Sequence, residues 1–397
     1  MQRRGRIPSQ DLLRPLALLS PRRRHSALAL RSTTRSSPFS DPAPPGRTIG
    51  LGVSSACCRL LLKVKAAGLM VEQFQLPDPT LSFQAEVDDR WNMDCFPLAD
   101  RKVLCADQSG RAFFFDADTR HLVTVPNLHK PKGKPFSLFV PNAAAAAVHG
   151  GDCGGSLFVM ETIPKPEAGC DTHTSDQFEA FVYRKPTVMS FAESWCCQLL
   201  PPPPYLRDYK YCQRRHVITA YGVVDGGSQV CISVEDVGTY CLDTASHTWS
   251  HIGKWTLPFL GKVEYVPEFK LWFGLSAGDQ QHLAAANLSS LDSQPQLLGP
   301  WKELEPHNEC QEWRDAQLVN LGSGRFCIAR FFETIPMSGD DSSDQSFEVL
   351  TSVEVTPSLQ DGSGSSGGSR NGEVELEMKA HKSLYHISNG MGIDVVF

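Results

Sequence analysis

The run Lys102-Val103-Leu104-Cys105-Ala106-Asp107-Gln108-Ser109-Gly110-Arg111-Ala112-Phe113-Phe114-Phe115-Asp116-Ala117-Asp118-Thr119-Arg120-His121-Leu122-Val123-Thr124-Val125-Pro126 decides the fold. It holds three short apolar stretches, 103–106, 112–115 and 122–125, separated by Asp-Gln-Ser-Gly and Asp-Ala-Asp-Thr. Branched and aromatic side chains suit a pleated, half-buried strand, whereas Asp, Ser and Gly tolerate the backbone angles of tight turns. The stretch therefore predicts a three-strand meander. The same order returns downstream: Cys231 to Val234, the turn Glu235 to Gly238, Tyr240 to Leu242, then Asp243 to Ser246 leading to Trp249. Two copies of one local design predict a repeat architecture.

Working outward, each copy closes on an apolar residue and a proline. The phrase occurs at Leu76-Pro77, Val125-Pro126, Leu200-Pro201, Leu257-Pro258, Leu304-Glu305-Pro306 and Val355-Thr356-Pro357, so the prolines stand 49, 75, 57, 48 and 51 residues apart. This spacing matches the period of about 50 residues of kelch blades better than the shorter WD40 period. The long interval holds Ala143 to Ala147, Gly150 to Gly155 and Pro164 to His173, which read as surface loops enlarging one blade. A blade cannot bury both of its faces alone, whereas a ring of blades packs each sheet on the next. The expectation is thus all-β: a single six-bladed, kelch-like β-propeller over 55–397, with a disordered or transit-like Arg/Ser-rich arm at 1–54. Trp195, Trp249, Trp255, Trp272 and Trp301 are expected between blades. Ring closure is assigned to Glu373 to Lys379, where Val374, Leu376 and Met378 alternate with glutamates, pairing with the early chain after a Gly/Ser-rich loop at 360–371.

Gly226-Gly227 at a strand end, and Leu242-Asp243 followed by Trp249, resemble kelch marks, and only Val224 to Trp249 carries both. The segments Leu76-Pro77-Asp78-Pro79, Lys102 to Arg111, Ser137-Leu138-Phe139-Val140-Pro141, Gly261 to Pro267 and Leu318 to Cys327 resemble more closely an uncharacterised domain-of-unknown-function family expanded in grasses such as rice. That resemblance covers roughly residues 70–390. It implies a plant protein of the propeller class related to F-box-associated modules, and it brings no active residues with it.

Residues 1–50 hold ten Arg, no Lys and two Asp, which leaves the remaining chain with 28 basic against 42 acidic residues. An acidic body argues against bulk nucleic-acid binding. The arm itself has the chemistry of an organelle transit peptide, a disordered tail or, through Ile7-Pro8, Leu12-Leu13 and Leu18-Leu19, a faint echo of an F-box helix. The 13 cysteines include no C-x-x-C pair and are expected as reduced thiols in an intracellular protein of cytoplasm or nucleus, with organelle import through residues 1–50 as the alternative. No apolar run of membrane-spanning length occurs, so no membrane association is expected.

No complete catalytic motif occurs in the sequence. Gly364-Ser365-Ser366-Gly367-Gly368 matches the letters of a nucleophile elbow but sits in a Gly/Ser tract rather than between strand and helix. The histidines never fall into metal-ligand spacing with Cys or acid, so neither cofactor nor metal is expected. The segment Tyr205 to His216 interleaves aromatic and basic residues after the run Pro201 to Pro204, and nominates Tyr209, Lys210, Tyr211, Arg214 and Arg215 as binding residues. The leading expectation is a monomeric, non-enzymatic scaffold that holds a protein partner on its loops. Alternatives are an enzyme or small-ligand site in the central channel, and RNA binding through the loop at 205–216.

Overall fold

Asp107 ends one strand and builds the next turn: its Oδ1 accepts the backbone N–H of Ser109 and of Arg111, both at 2.9 Å, which lets Gly110 take φ +83° and return the chain. Asp116 repeats the device with Asp118 and Thr119, and Asp243 with Ala245 and Ser246. In the latter two turns the fourth residue on, Arg120 and His247, has positive φ. The recurring sequence pattern is thus one recurring hydrogen-bonded turn.

The computed structural model describes residues 17–21, 71–75, 93–99, 101–141, 154–170, 172–184, 194–278, 280–304, 310–334, 346–358, 375–387 and 391–396. These residues are all-β apart from two short 3-10 turns. In chain order, β1 (Ala17–Pro21) and β2 (Val71–Gln73) precede a first meander of β3 (Met93–Pro97), β4 (Lys102–Asp107), β5 (Ala112–Asp116) and β6 (His121–Thr124). The second comprises β7 (Pro135–Pro141), β8 (Gly155–Glu161), β9 (Ser175–Arg184) and β10 (Ser194–Leu200). The third comprises β11 (Ile218–Val224), β12 (Gln229–Val234), β13 (Gly238–Asp243) and β14 (Trp249–Gly253), and the fourth β15 (Phe259–Val266), β16 (Leu271–Ser276), β17 (Leu283–Ala286) and β18 (Leu297–Trp301). The fifth comprises β19 (Cys310–Gly322), β20 (Arg325–Thr334), β21 (Ser346–Pro357) and β22 (Leu376–Ile387), and β23 (Met391–Val396) ends the described chain.

The first strands of successive meanders approach one another in turn, β3 to β7, β7 to β11, β11 to β15 and β15 to β19. Between β11 and β15 the approach becomes parallel pairing, with Ala220 opposite Gly261 and Gly222 opposite Val263. Gly222 is required there, because a Cβ would lie 2.9 Å from the Val263 carbonyl oxygen. Apolar side chains fill the space between neighbours. One cluster joins Leu104 and Leu128 to Leu157 and Phe181, another Phe158 and Phe178 to Ile232 and Leu242, a third Ala220 and Cys231 to Phe259 and Trp272, and a fourth Phe273 and Leu275 to Phe326 and Val353. Two of the tryptophans expected between blades reach from one meander to the preceding one: the Trp249 indole donates to Pro201 O (2.9 Å) and the Trp272 indole to Val223 O (3.0 Å). Such bonds satisfy the one polar atom of an otherwise buried ring.

Three expectations change. The described residues form five four-stranded meanders where six blades were expected: Pro126, Pro201 and Pro258 follow the fourth strands of the first three, Pro357 ends the third strand of the fifth, and the surplus phrase Leu76-Pro77 precedes the first meander. Among the described residues, no apolar cluster joins the fifth sheet to the first, so closure of the ring is not seen. What is seen is the chain's early part paired with its end: β2 lies parallel to β22 (Val71 opposite Ser383), and β1, inside the expected arm, lies antiparallel to β23. Leu376 and Met378 pair instead with β21. Finally, Cys231 and Cys241 face each other across β12 and β13 and form a disulfide, against the expectation of reduced thiols throughout. The Gly/Ser loop at 360–371, with its Gly364 to Gly368 motif, Leu76-Pro77 and Pro306 lie outside the described residues. No helix among those residues is long and apolar enough to cross a membrane.

Candidate functional site

The loop at 205–216 begins with an anchor. Tyr205 and Leu206 are buried in the core between the second and third sheets, and Pro202 and Pro203 are buried with them. Tyr205 is therefore structural, and the proline run is seated on the core rather than holding the loop away from it. The Glu167 N–H donates to Leu206 O (2.8 Å), and the Arg207 guanidinium bonds Thr172 O, so the β8–β9 connection braces the loop.

The five nominated residues follow this root on one short stretch. Tyr209 is 74% exposed, the most exposed of the large apolar side chains among the described residues. Lys210 lies 4.6 Å over the Tyr211 ring and donates to its hydroxyl (2.9 Å), which raises the lysine's pKa. Tyr211 is half-buried and meets His216 edge-on at 5.6 Å. Arg214 is ion-paired with Asp236, and Arg215 is exposed. Asp208 adds a second carboxylate by accepting the Lys210 N–H (2.9 Å). With Asp208 and Asp236 interleaved, the loop presents aromatic and arginine groups without a continuous basic groove.

A second constellation escaped sequence reasoning. Glu179 on β9 is fully buried, and its Oε1 takes the ammonium of Lys132, also buried, which in turn donates to Lys130 O (2.7 Å). Its Oε2 faces three donors: the His129 N–H at 3.0 Å, His129 Nδ1 at 2.6 Å and Cys197 Sγ at 3.1 Å. Glu179 pairs with Leu199 and Cys197 with Phe181, so the two side chains are diagonal neighbours on one face of β9 and β10. His129 and Lys132 come from the segment linking β6 to β7, laid across that face. Burial pushes the Glu179 carboxyl up, but the His129 N–H and the Lys132 ammonium outweigh it and hold the group below the usual range. Burial and the neighbouring carboxylate push the Cys197 thiol well up, so it acts here as a donor and not as a free nucleophile. His129, Glu179 and Cys197 are the described residues able to hold a metal together, with one ligand atom each and all three within 4.8 Å of one another.

A third cluster lies between the fourth and fifth sheets. Arg330 on β20 spreads its guanidinium over Glu303 Oε1, Glu312 Oε1 (2.8 Å) and Gln281 O (3.1 Å). Glu303 is buried, and its Oε2 and the nearby His282 Nδ1 make no hydrogen bond among the described residues. Burial lowers the His282 pKa, against the pull of the Glu303 carboxylate.

Residues 62–386 match the model of a family described as "Protein of unknown function (DUF1668)". No curated protein matches the chain. Among solved structures, a Bacteroides thetaiotaomicron protein of unknown function is similar at 8% identity and TM-score 0.33, covering 64% of this chain and 64% of its own. The Cps50 (Swd1) β-propeller domain of Myceliophteria thermophila is similar at 11% identity and TM-score 0.27, covering 65% and 91%. BamB from Moraxella catarrhalis is similar at 11% identity and TM-score 0.27, covering 67% and 84%. Scores this low carry nothing about blade number or function, and the architecture rests on the strand pairing itself.

Proposed function

The chain belongs to the DUF1668 family of proteins of unknown function, and from that premise we propose that it is a protein-interaction scaffold. In this reading the meanders are blades of a kelch-like propeller, and the β1–β23 pair is a sixth, incomplete blade beside the fifth. Support for that placement comes from Val396, which donates its N–H to Gln317 Oε1 on β19 (2.9 Å) and joins the apolar cluster of Val319 and Cys327.

The observation that carries the function is the braced loop. Its root is buried at Tyr205 and Leu206, while Tyr209, Lys210, Arg214 and Arg215 stand at the surface. Tyrosine and arginine dominate the energetics of protein interfaces, and a pre-ordered loop loses little entropy on binding. The interleaved cations suit a partner segment that carries acidic side chains.

The reading is tested by capture from plant tissue with the wild-type chain and a Tyr209→Ala/Arg215→Ala variant as paired baits. The expected result is a set of proteins retained by the wild type, resistant to nuclease and lost from the variant. Retention abolished by ribonuclease would transfer the loop to RNA binding. An identical set on both baits would remove the loop from the function.

A further inference from the structure

We propose that His129, Glu179 and Cys197 form a binding site for one borderline-soft divalent cation of the zinc(II) class. Imidazole nitrogen, carboxylate oxygen and thiolate sulfur are the three donor types that zinc combines, and three protein ligands with a fourth open position is an established zinc arrangement. Here Glu179 Oε2 lies 2.6 Å from His129 Nδ1 and 3.1 Å from Cys197 Sγ, and the latter two atoms are 3.9 Å apart. Donor atoms around a tetrahedral zinc ion stand roughly 3.3–3.7 Å from one another, given bonds of about 2.0–2.3 Å. The nitrogen–sulfur edge is thus close to that spacing already, and the oxygen needs to recede from its two neighbours by about half an ångström. Glu179 and Cys197 are held on adjacent paired strands, so the movement falls on side-chain torsions and on the His129 segment.

The charge arithmetic fits the same ion. Lys132 neutralises Glu179 through Oε1 and leaves Oε2 facing the other two donors. On coordination the Cys197 Sγ–H proton passes to solvent and the sulfur lone pair forms the metal bond. His129, which here donates through Nδ1–H, binds as the tautomer protonated at its other ring nitrogen, Nε2, the proton moving there through solvent; its Nδ1 lone pair and Glu179 Oε2 then supply the other two bonds, so no oxidant or reductant is needed. Ion and thiolate together add one positive charge to a pocket whose imidazole edge is 45% exposed, which gives the ion an entry path and a water-accessible fourth position.

The test is a titration of the chelator-treated full chain with cobalt(II), whose thiolate complexes absorb in the near ultraviolet and visible. One equivalent is expected to produce a sulfur-to-cobalt band that zinc(II) then abolishes. Cys197→Ser, which keeps a hydrogen-bond donor for Glu179, should lose the band while keeping the β-sheet circular dichroism of the wild type. His129→Gln should weaken cobalt binding at least tenfold. Cys170→Ser, at an exposed thiol away from the cluster, should leave the band unchanged. Absence of the band in the wild-type chain, or its persistence in folded Cys197→Ser, overturns the proposal.

Discussion

Glu179 and Glu303 are both buried glutamates at a seam between neighbouring sheets, yet their surroundings are mirror images. At the first seam the acid stands on a strand, β9, and its cation, Lys132, comes from the linking segment. At the last seam the cation, Arg330, stands on a strand, β20, and the acid comes from the segment linking β18 to β19. The difference lies in the cation. A guanidinium is a planar fork, and Arg330 spends it on Glu303, Glu312 and Gln281, tying three segments into a staple. An ammonium is a point charge, and Lys132 meets only one oxygen of Glu179, leaving the other to His129 and Cys197. One seam is closed by its electrostatics, and the other is left with ligands.

The sharpest way to break this comparison is to remove each cation. Arg330→Met leaves Glu303 buried with no charge partner and Glu312 with its guanidinium contact gone, and should cost about 3–5 kcal/mol in urea-induced unfolding. Lys132→Met leaves Glu179 with three remaining donors and should cost less, about 2–3 kcal/mol. A larger loss at Lys132 than at Arg330 would reverse the assignment of staple and site.

Acid gives a smaller and graded contrast. His282 has a folded pKa below its ordinary 6.5, so the unfolded chain binds the proton more readily, and stability is full above 6.5 and declines as pH falls below it. Glu179 has a folded pKa below its ordinary 4.5, so its contribution is intact above 4.5 and is lost only as pH falls further. Between 6.5 and 4.5 the His282 seam should therefore weaken first, so wild-type stability should fall further across that range than that of His282→Gln. Equal changes in the two would contradict it.

The local design was legible in the residues. Asp107, Asp116 and Asp243 each precede a turn whose amides they accept, so composition and geometry coincide. The Cys231–Cys241 pair was legible in principle. A turn at 235–238 places the two opposite each other across the hairpin, a relation that spacing along the chain does not display. The count of blades was not legible, because proline spacing marks a recurring segment without saying how many strands it holds: Pro201 follows the fourth strand of its meander, whereas Pro357 ends the third strand of its own. Nor was the Glu179 cluster: His129 is 50 residues from Glu179 and 68 from Cys197, and only the packing of a linking segment onto β9 and β10 brings them together. The 205–216 loop stands out in the sequence because alternating aromatic and basic residues are a local signal, but that signal does not tell buried Tyr205 from exposed Tyr209.

The claim that one seam holds a ligand site and the other a staple is tested most directly by thermal and urea unfolding with and without zinc(II). A ligand that binds only the folded chain stabilises it by about 2.7 kcal/mol at a hundredfold excess over its Kd. The account predicts a shift of that size in the wild type and in Arg330→Met, and none in Cys197→Ser. An equal shift in Cys197→Ser, or no shift in the wild type, would contradict it.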